Sequence, residues 1–246
     1  MLAAAALVPE TALLVPGAAG TADVIPDVRA AALDAVSALT AAGPDRVVVV
    51  ASSAAPGDVV RTGPLRPTLS AAGIDDDGLG WPVERAGDRQ GDDGRPVGHV
   101  GASVALFLLR AVGWSGEVQL LTTGSRVTAE LQAVGRRLAG GPERIALLLS
   151  GSLSARRGPD GPLPDDARAA PLDDAVMGDL CDLGPAARER LAAVPPELAA
   201  ALAVSAWAPW QVLLGASAGN LCGQVHWRGA PFGATYAVLS WTAEQR

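Results

Sequence analysis

The sequence predicts an α/β fold: a single domain with a mostly parallel central sheet, helices on both faces and a C-terminal antiparallel strand pair. Three observations carry this. Short apolar runs such as Arg46 to Val50 and Arg144 to Leu149 have the composition of strands covered on both faces. They alternate with longer segments whose apolar residues recur at helical spacing. Near the C-terminus, two strand-like segments, 220–227 and 234–241, flank the turn Gly229-Ala230-Pro231-Phe232-Gly233.

Taken in order, Ala3 to Val8 reads as the first buried strand, with a turn at Pro9-Glu10-Thr11 and a short apolar run to Val15. Asp27 to Ala42 reads as a helix, because Val28, Ala31, Leu33, Val36 and Leu39 recur on one side and Gly43-Pro44 ends it. The β-branched strand from Arg46 runs into a loop of small residues, Ala51-Ser52-Ser53-Ala54-Ala55-Pro56-Gly57. From about 56 to 97 the chain is rich in Gly, Asp, Arg and Pro, with weak periodicity, and reads as loop. A helix over about 99–112 has an apolar face of Val104, Phe107 and Leu108. Val118 to Thr122 is a third strand, 126–139 a helix and Arg144 to Leu149 a fourth strand. Residues 171–218 read as several helices, broken at Gly184-Pro185 and Pro195-Pro196. With no repeat and no long linker, residues 1–246 form one domain.

Composition narrows the function. A hydrophobic content of 49% supports a full core. The net charge of −7 argues against nucleic acid and anionic membranes as partners, since both call for a basic surface. All 19 basic residues are arginine, which reads as the codon bias of a GC-rich genome. Cys181 and Cys222 have no metal-ligand spacing and sit in apolar context, as packing residues do. The N-terminal apolar run lacks a positively charged start and is interrupted by Pro9 and Glu10, unlike a signal peptide. No apolar run approaches the ~20 residues of a membrane helix, so a cytoplasmic location is expected.

The chemistry-bearing side chains are few. Only two histidines occur, His99 and His226, and histidine is the commonest metal ligand and the usual base near neutral pH. In an α/β sheet a site is expected at the carboxyl ends of the strands. This nominates Ser52 and Ser53 after the second strand and Ser152 and Arg156 after the fourth. His99 opens a helix after a glycine-rich loop, a place facing that edge. His226 alternates with Gln224 and Arg228, so the three are expected on one face of a strand.

Other motifs point away from chemistry. Gly215-Ala216-Ser217-Ala218-Gly219 matches a nucleophile elbow, but a helix precedes it and a strand follows, the reverse of the order that elbow needs. Gly17-Ala18-Ala19-Gly20 has no accompanying lysine and reads as a flexible loop. Asp75-Asp76-Asp77-Gly78 and Gly91-Asp92-Asp93-Gly94 lack the alternating acids and terminal glutamate of a calcium loop.

Five segments in order resemble the class III extradiol ring-cleavage dioxygenase superfamily, in its actinobacterial branch, with Memo-like relatives. They are Leu7-Val8-Pro9 with Leu13-Leu14-Val15-Pro16; Pro44-Asp45-Arg46 with Val47–Val50; Ile145–Gly151 running into Ser154-Ala155-Arg156-Arg157; Ala208–Leu213 with Gly215-Ala216; and Ala230-Pro231-Phe232-Gly233. The resemblance implies a non-haem Fe(II) held by two histidines and a carboxylate, with positions left for a catechol and O₂. It places the first ligand histidine at Glu10, the second near Ala54 and the acid/base histidine near Ala155. His99 matches the histidine that supports the ligands from the helix after the long loop. The carboxylate ligand falls near 222–228, where Gln224, His226 and Arg228 are the strongly polar side chains.

The resemblance therefore implies a family member without its metal-ligand histidines, catalytically impaired, that binds a small aromatic molecule or acts structurally, with no cofactor. One alternative is an active Fe(II) dioxygenase with a remodelled Glu10, His99 and His226 site. Another is a metal-free interaction protein, a homodimer joined through the Trp207/Trp210 helix or the Trp227/Trp241 strand pair.

Overall fold

A computed structural model describes residues 1–80, 94–159, 161–217 and 221–243. The pair Asp92-Asp93 and the Ala218-Gly219 end of the elbow-like pattern lie outside the described residues, as does the side chain of Cys222.

The first half of the chain forms β1 (Leu2–Val8), α1 (Pro26–Ala41), β2 (Arg46–Ser52), β3 (Asp58–Arg61), β4 (Leu65–Pro67), β5 (Arg95–Val97), α2 (Val100–Ala111), β6 (Glu117–Thr123), α3 (Thr128–Ala139) and β7 (Ile145–Ser150). The second half forms α4 (Ala169–Asp182), α5 (Pro185–Ala193), α6 (Pro196–Ala201), α7 (Trp207–Ala216), β8 (Leu221–Gly229) and β9 (Tyr236–Ala243). The breaks at Gly184-Pro185 and Pro195-Pro196 follow from proline, which starts a helix well and cannot continue one.

Seven strands make one sheet in the order β3-β6-β2-β7-β1-β9-β8, and β4 pairs with β5 separately. The central strands β6, β2, β7 and β1 are parallel, while β9 and β8 close one side as the expected antiparallel pair. Two departures from expectation occur in the loop-like stretch after β2. Asp58–Arg61 adds an antiparallel strand at the other edge of the sheet, and Leu65–Pro67 pairs with Arg95–Val97. Asp58–Arg61 is too short and too exposed, and the three-residue strands of the second pair are too short, for hydrophobic alternation to reveal them.

Because successive residues of a strand face opposite sides, each central strand feeds two cores. Leu7, Val48, Val50, Leu147 and Leu149 pack with α3 to α7, whereas Val8, Val47, Val49 and Leu148 pack with α1 and α2. At about 1.5–3 kcal/mol for each fully buried Val or Leu side chain, these two layers dominate the stability. α3 and α7 approach closely because neither Gly135 nor Gly215 has room for a β-carbon against the partner backbone. Trp207, Trp210 and Trp241 are fully buried inside the first core. They are thus unavailable as the dimer surface that the sequence suggested, and only Trp227 of the proposed set is partly accessible. Among the described residues, no helix is long and apolar enough to cross a membrane.

Candidate functional site at the carboxyl ends of the parallel strands

The parallel register brings Val8, Ser52, Thr123 and Ser150 to one edge of the sheet, and the nominated residues follow directly after them. Glu10 stands two residues beyond β1. The next turn, Ala12–Leu14, is started by Thr11, whose hydroxyl accepts from Leu13 N–H. It is then pinned by Arg29 of α1, which donates to the carbonyls of Leu13 and Leu14 at 3.1 and 2.8 Å. Glu10 lies against the first turn of α2. A β-carbon on Gly101 would meet Glu10 Cβ at 2.8 Å, Glu10 Oε2 at 3.3 Å and Ser150 Oγ at 2.7 Å. Burial pushes the Glu10 carboxyl above its usual range; the Ser205 hydroxyl and the His99 ring beside it pull the other way without cancelling the effect.

His99 is the N-cap of α2, a place normally taken by Ser, Thr, Asp or Asn. Its Nδ1 accepts from Ala102 N–H at 3.2 Å, so the ring proton belongs on Nε2, which donates to the Ser52 carbonyl at 2.6 Å. Both ring nitrogens are committed to backbone. Serines knit the same edge together. Ser52 Oγ donates to the Ser205 carbonyl at 2.7 Å, Ser152 N–H donates to Ser205 Oγ at 2.9 Å, and Ala206 N–H donates to the Ser152 carbonyl at 3.0 Å. The α6–α7 connection is thereby laced across the ends of β2 and β7, over Gly151, where a β-carbon would sit 2.6 Å from Ala206 Cα.

The remaining candidates lie apart from this cluster or face away from one another. Ser53 caps its own loop, with Oγ accepting from Ala55 N–H at 3.1 Å. Arg156 donates to the Pro164 carbonyl at 3.1 Å, closing the loop after β7. Gln224 is exposed on β8, the outermost strand. His226 is the extra residue of a bulge, because Val225 pairs with Leu239 and Trp227 with Val238. Its Nε2 hydrogen-bonds the Ser240 hydroxyl at 2.8 Å. The bulge breaks the expected alternation, so Arg228 faces the opposite side and pairs with Asp174 of α4.

Glu10, His99, Ser52 and Ser152 are therefore brought together, and His226 and Gln224 are not. Two strand spacings of about 4.8 Å separate β8 from β1. Among the described residues, no group of three His, Cys, Asp or Glu side chains could hold a metal ion. The donor set does not fit a two-histidine, one-carboxylate iron site. Glu10 offers one carboxylate, His99 has no free nitrogen, and Ala54 and Ala155 offer no side-chain donor.

Three residues escaped the sequence reading. Ser205 lies between valine and alanine in a helix-rich stretch and carries no local signal. Gly101 was visible as a lone glycine inside a helical pattern, a mark of close packing. Asp173, fully buried on α4, accepts from Ser154 N–H at 3.0 Å, Ser154 Oγ at 2.6 Å and Thr235 Oγ1 at 2.6 Å. Ser217 of the elbow-like pattern is buried at the C-cap of α7, where it accepts from Arg188 and donates to the Leu213 carbonyl.

No protein-family model matches the chain. No curated protein matches it either. Among solved structures it is similar to the crystal structure of an uncharacterized protein, JW3007, from Escherichia coli K12. The match covers 98% of this chain and 100% of that one, with a TM-score of 0.57 and 18% identity. At that identity the likeness shows the shared fold.

Proposed function

We propose that the chain is a cytoplasmic relative of the class III extradiol ring-cleavage dioxygenases that does not cleave rings, its iron-binding edge having become a metal-free polar cluster. The observation that carries this reading is the commitment of both His99 nitrogens to backbone, at 2.6 Å from the Ser52 carbonyl and 3.2 Å from Ala102 N–H. A ring so engaged orients a helix and a strand; it cannot also ligate a metal or carry a proton to a substrate. The neighbouring carboxyl supports the same reading, since burial shifts Glu10 toward its neutral form, which is a poor metal ligand. The ligand on this reading is a small aromatic molecule, held by shape and hydrogen bonds; a neutral carboxyl can donate one to a phenolic oxygen.

Anaerobic titration with Fe(II), followed by addition of 4-methylcatechol and oxygen-uptake measurement, tests the proposal. The expected result is no stoichiometric iron and no oxygen consumption. Tight one-to-one iron with catechol turnover would overturn it.

A further inference from the structure

A second feature lies away from the strand ends. A groove of about 360 Å³ runs between α3 and the edge formed by β6 and β3. Register defines its length. Arg46 lies opposite Glu117 at one end and Asp58 opposite Thr123 at the other, which is the seven residues of β6, six steps or roughly 20 Å. Its floor and walls between those ends are apolar, from Leu121, Val60, Val134 and Leu138. α3 runs back along β6, so Arg137 in its last turn joins Arg46 at the same end.

Polar capacity is concentrated at that end. Arg46 pairs through one terminal nitrogen with Glu143 at 3.0 Å, yet its Nε is buried without a hydrogen-bond partner among the described residues. Gln119 Oε1, two residues along β6, is also buried without one. Arg137 is exposed, and its side chain makes no hydrogen bond or ion pair among the described residues. Asp58, at the far end, is hydrogen-bonded by the Thr123 hydroxyl at 2.5 Å. A buried polar atom left unpaired costs about 1–3 kcal/mol, so two in one groove call for a partner. A carboxylate would accept from exposed Arg137 as it stands, and from Arg46 Nε once that side chain turns the covered atom toward the groove. Rotation of the Gln119 end group would add its NH₂ as a third donor. A more highly charged anion would meet Glu143, and a cation would meet the two arginines.

We propose that this groove binds a small amphipathic carboxylate, its head between Arg46, Arg137 and Gln119 and its apolar part along Leu121, Val60 and Val134. The site is independent of the reading of Glu10 and His99. Calorimetric titration of the full chain with octanoate, against octan-1-ol and octylamine, tests it. Octanoate should bind one to one, and the alcohol and the amine should bind at least about tenfold more weakly, the worth of a charge-assisted hydrogen bond. Arg137→Ala, an exposed change, should weaken octanoate by about tenfold, and Gln119→Leu by less. Val60→Glu at the exposed edge should abolish binding, whereas Glu10→Gln should leave it unchanged. Absence of saturable octanoate binding would overturn the proposal. So would equal binding of the three probes, or sensitivity to Glu10→Gln with none to Arg137→Ala.

Discussion

The Nε2 of His99 lies 2.6 Å from the carbonyl oxygen of Ser52, the last residue of β2, while Nδ1 of the same ring caps α2. One side chain thus ties the start of a helix to the end of a central strand. Its replacement by alanine should remove both contacts and destabilise the protein by about 2 kcal/mol, the sum of a cap and a hydrogen bond. Asparagine should restore the cap alone and recover about half. Urea unfolding of the three proteins checks this, and a loss below about 0.5 kcal/mol would show that the ring is not structural.

Gly101 should not tolerate a methyl group. In an open helix, Gly→Ala is stabilising by nearly 1 kcal/mol, but here the new carbon would meet Ser150 Oγ at 2.7 Å and Glu10 Cβ at 2.8 Å. The expected outcome is a net loss of about 1–3 kcal/mol, seen as a lower thermal midpoint. A raised midpoint would mean that Glu10 moves aside freely.

The Glu10 carboxyl sets a pH dependence whose sign follows from burial. Its value is raised above the ordinary 4.5, so the folded protein holds this proton more tightly than the unfolded chain does. Between the unfolded and folded values the native state binds more protons, and stability from this group falls as pH rises through that window. Glu10→Gln should abolish that component, so the variant gains on the wild type as pH rises from 4.5 toward neutrality. Urea midpoints at the two ends of that range decide it; a wild type that gains relative to the variant as pH rises contradicts the burial argument.

Asp173→Ala should be among the costliest single changes in the chain. It strands the Ser154 N–H, the Ser154 hydroxyl and the Thr235 hydroxyl, all buried, at an expected cost of about 3–5 kcal/mol. Hydrogen exchange should then open first at residues 152–156 and at the start of β9. Uniform exchange across the sheet would show that this carboxylate is not a local tie.

The order of strands and helices was legible in the sequence because buried strands and amphipathic helices repeat with different periods. Val47 to Val50 and the 171–218 helices with their proline breaks were found on that basis. Asp58–Arg61 was not, since three of its four residues are exposed and its pairing is with a distant strand. The candidate site was half legible. Ser52 and Ser152 follow from the rule that parallel strands present their carboxyl ends together, His99 from its place at a helix start, and Glu10 from the family resemblance. His226 was misplaced because alternation assumes an unbroken ladder, and the bulge at that residue turns Arg228 to the other face.

By itself, then, the sequence determined the layers of this protein, its parallel core and the edge where polar residues gather, since local periodicity and turn chemistry suffice for those. Only the tertiary structure decided what those residues do. Whether a histidine nitrogen is free depends on which carbonyl lies within hydrogen-bonding reach, and the carbonyl of Ser52 comes from 47 residues away. Ser205 reaches the same edge from 53 residues beyond Ser152. Contacts at such separations are set by how the helices dock on the sheet, which no pattern along the chain encodes locally.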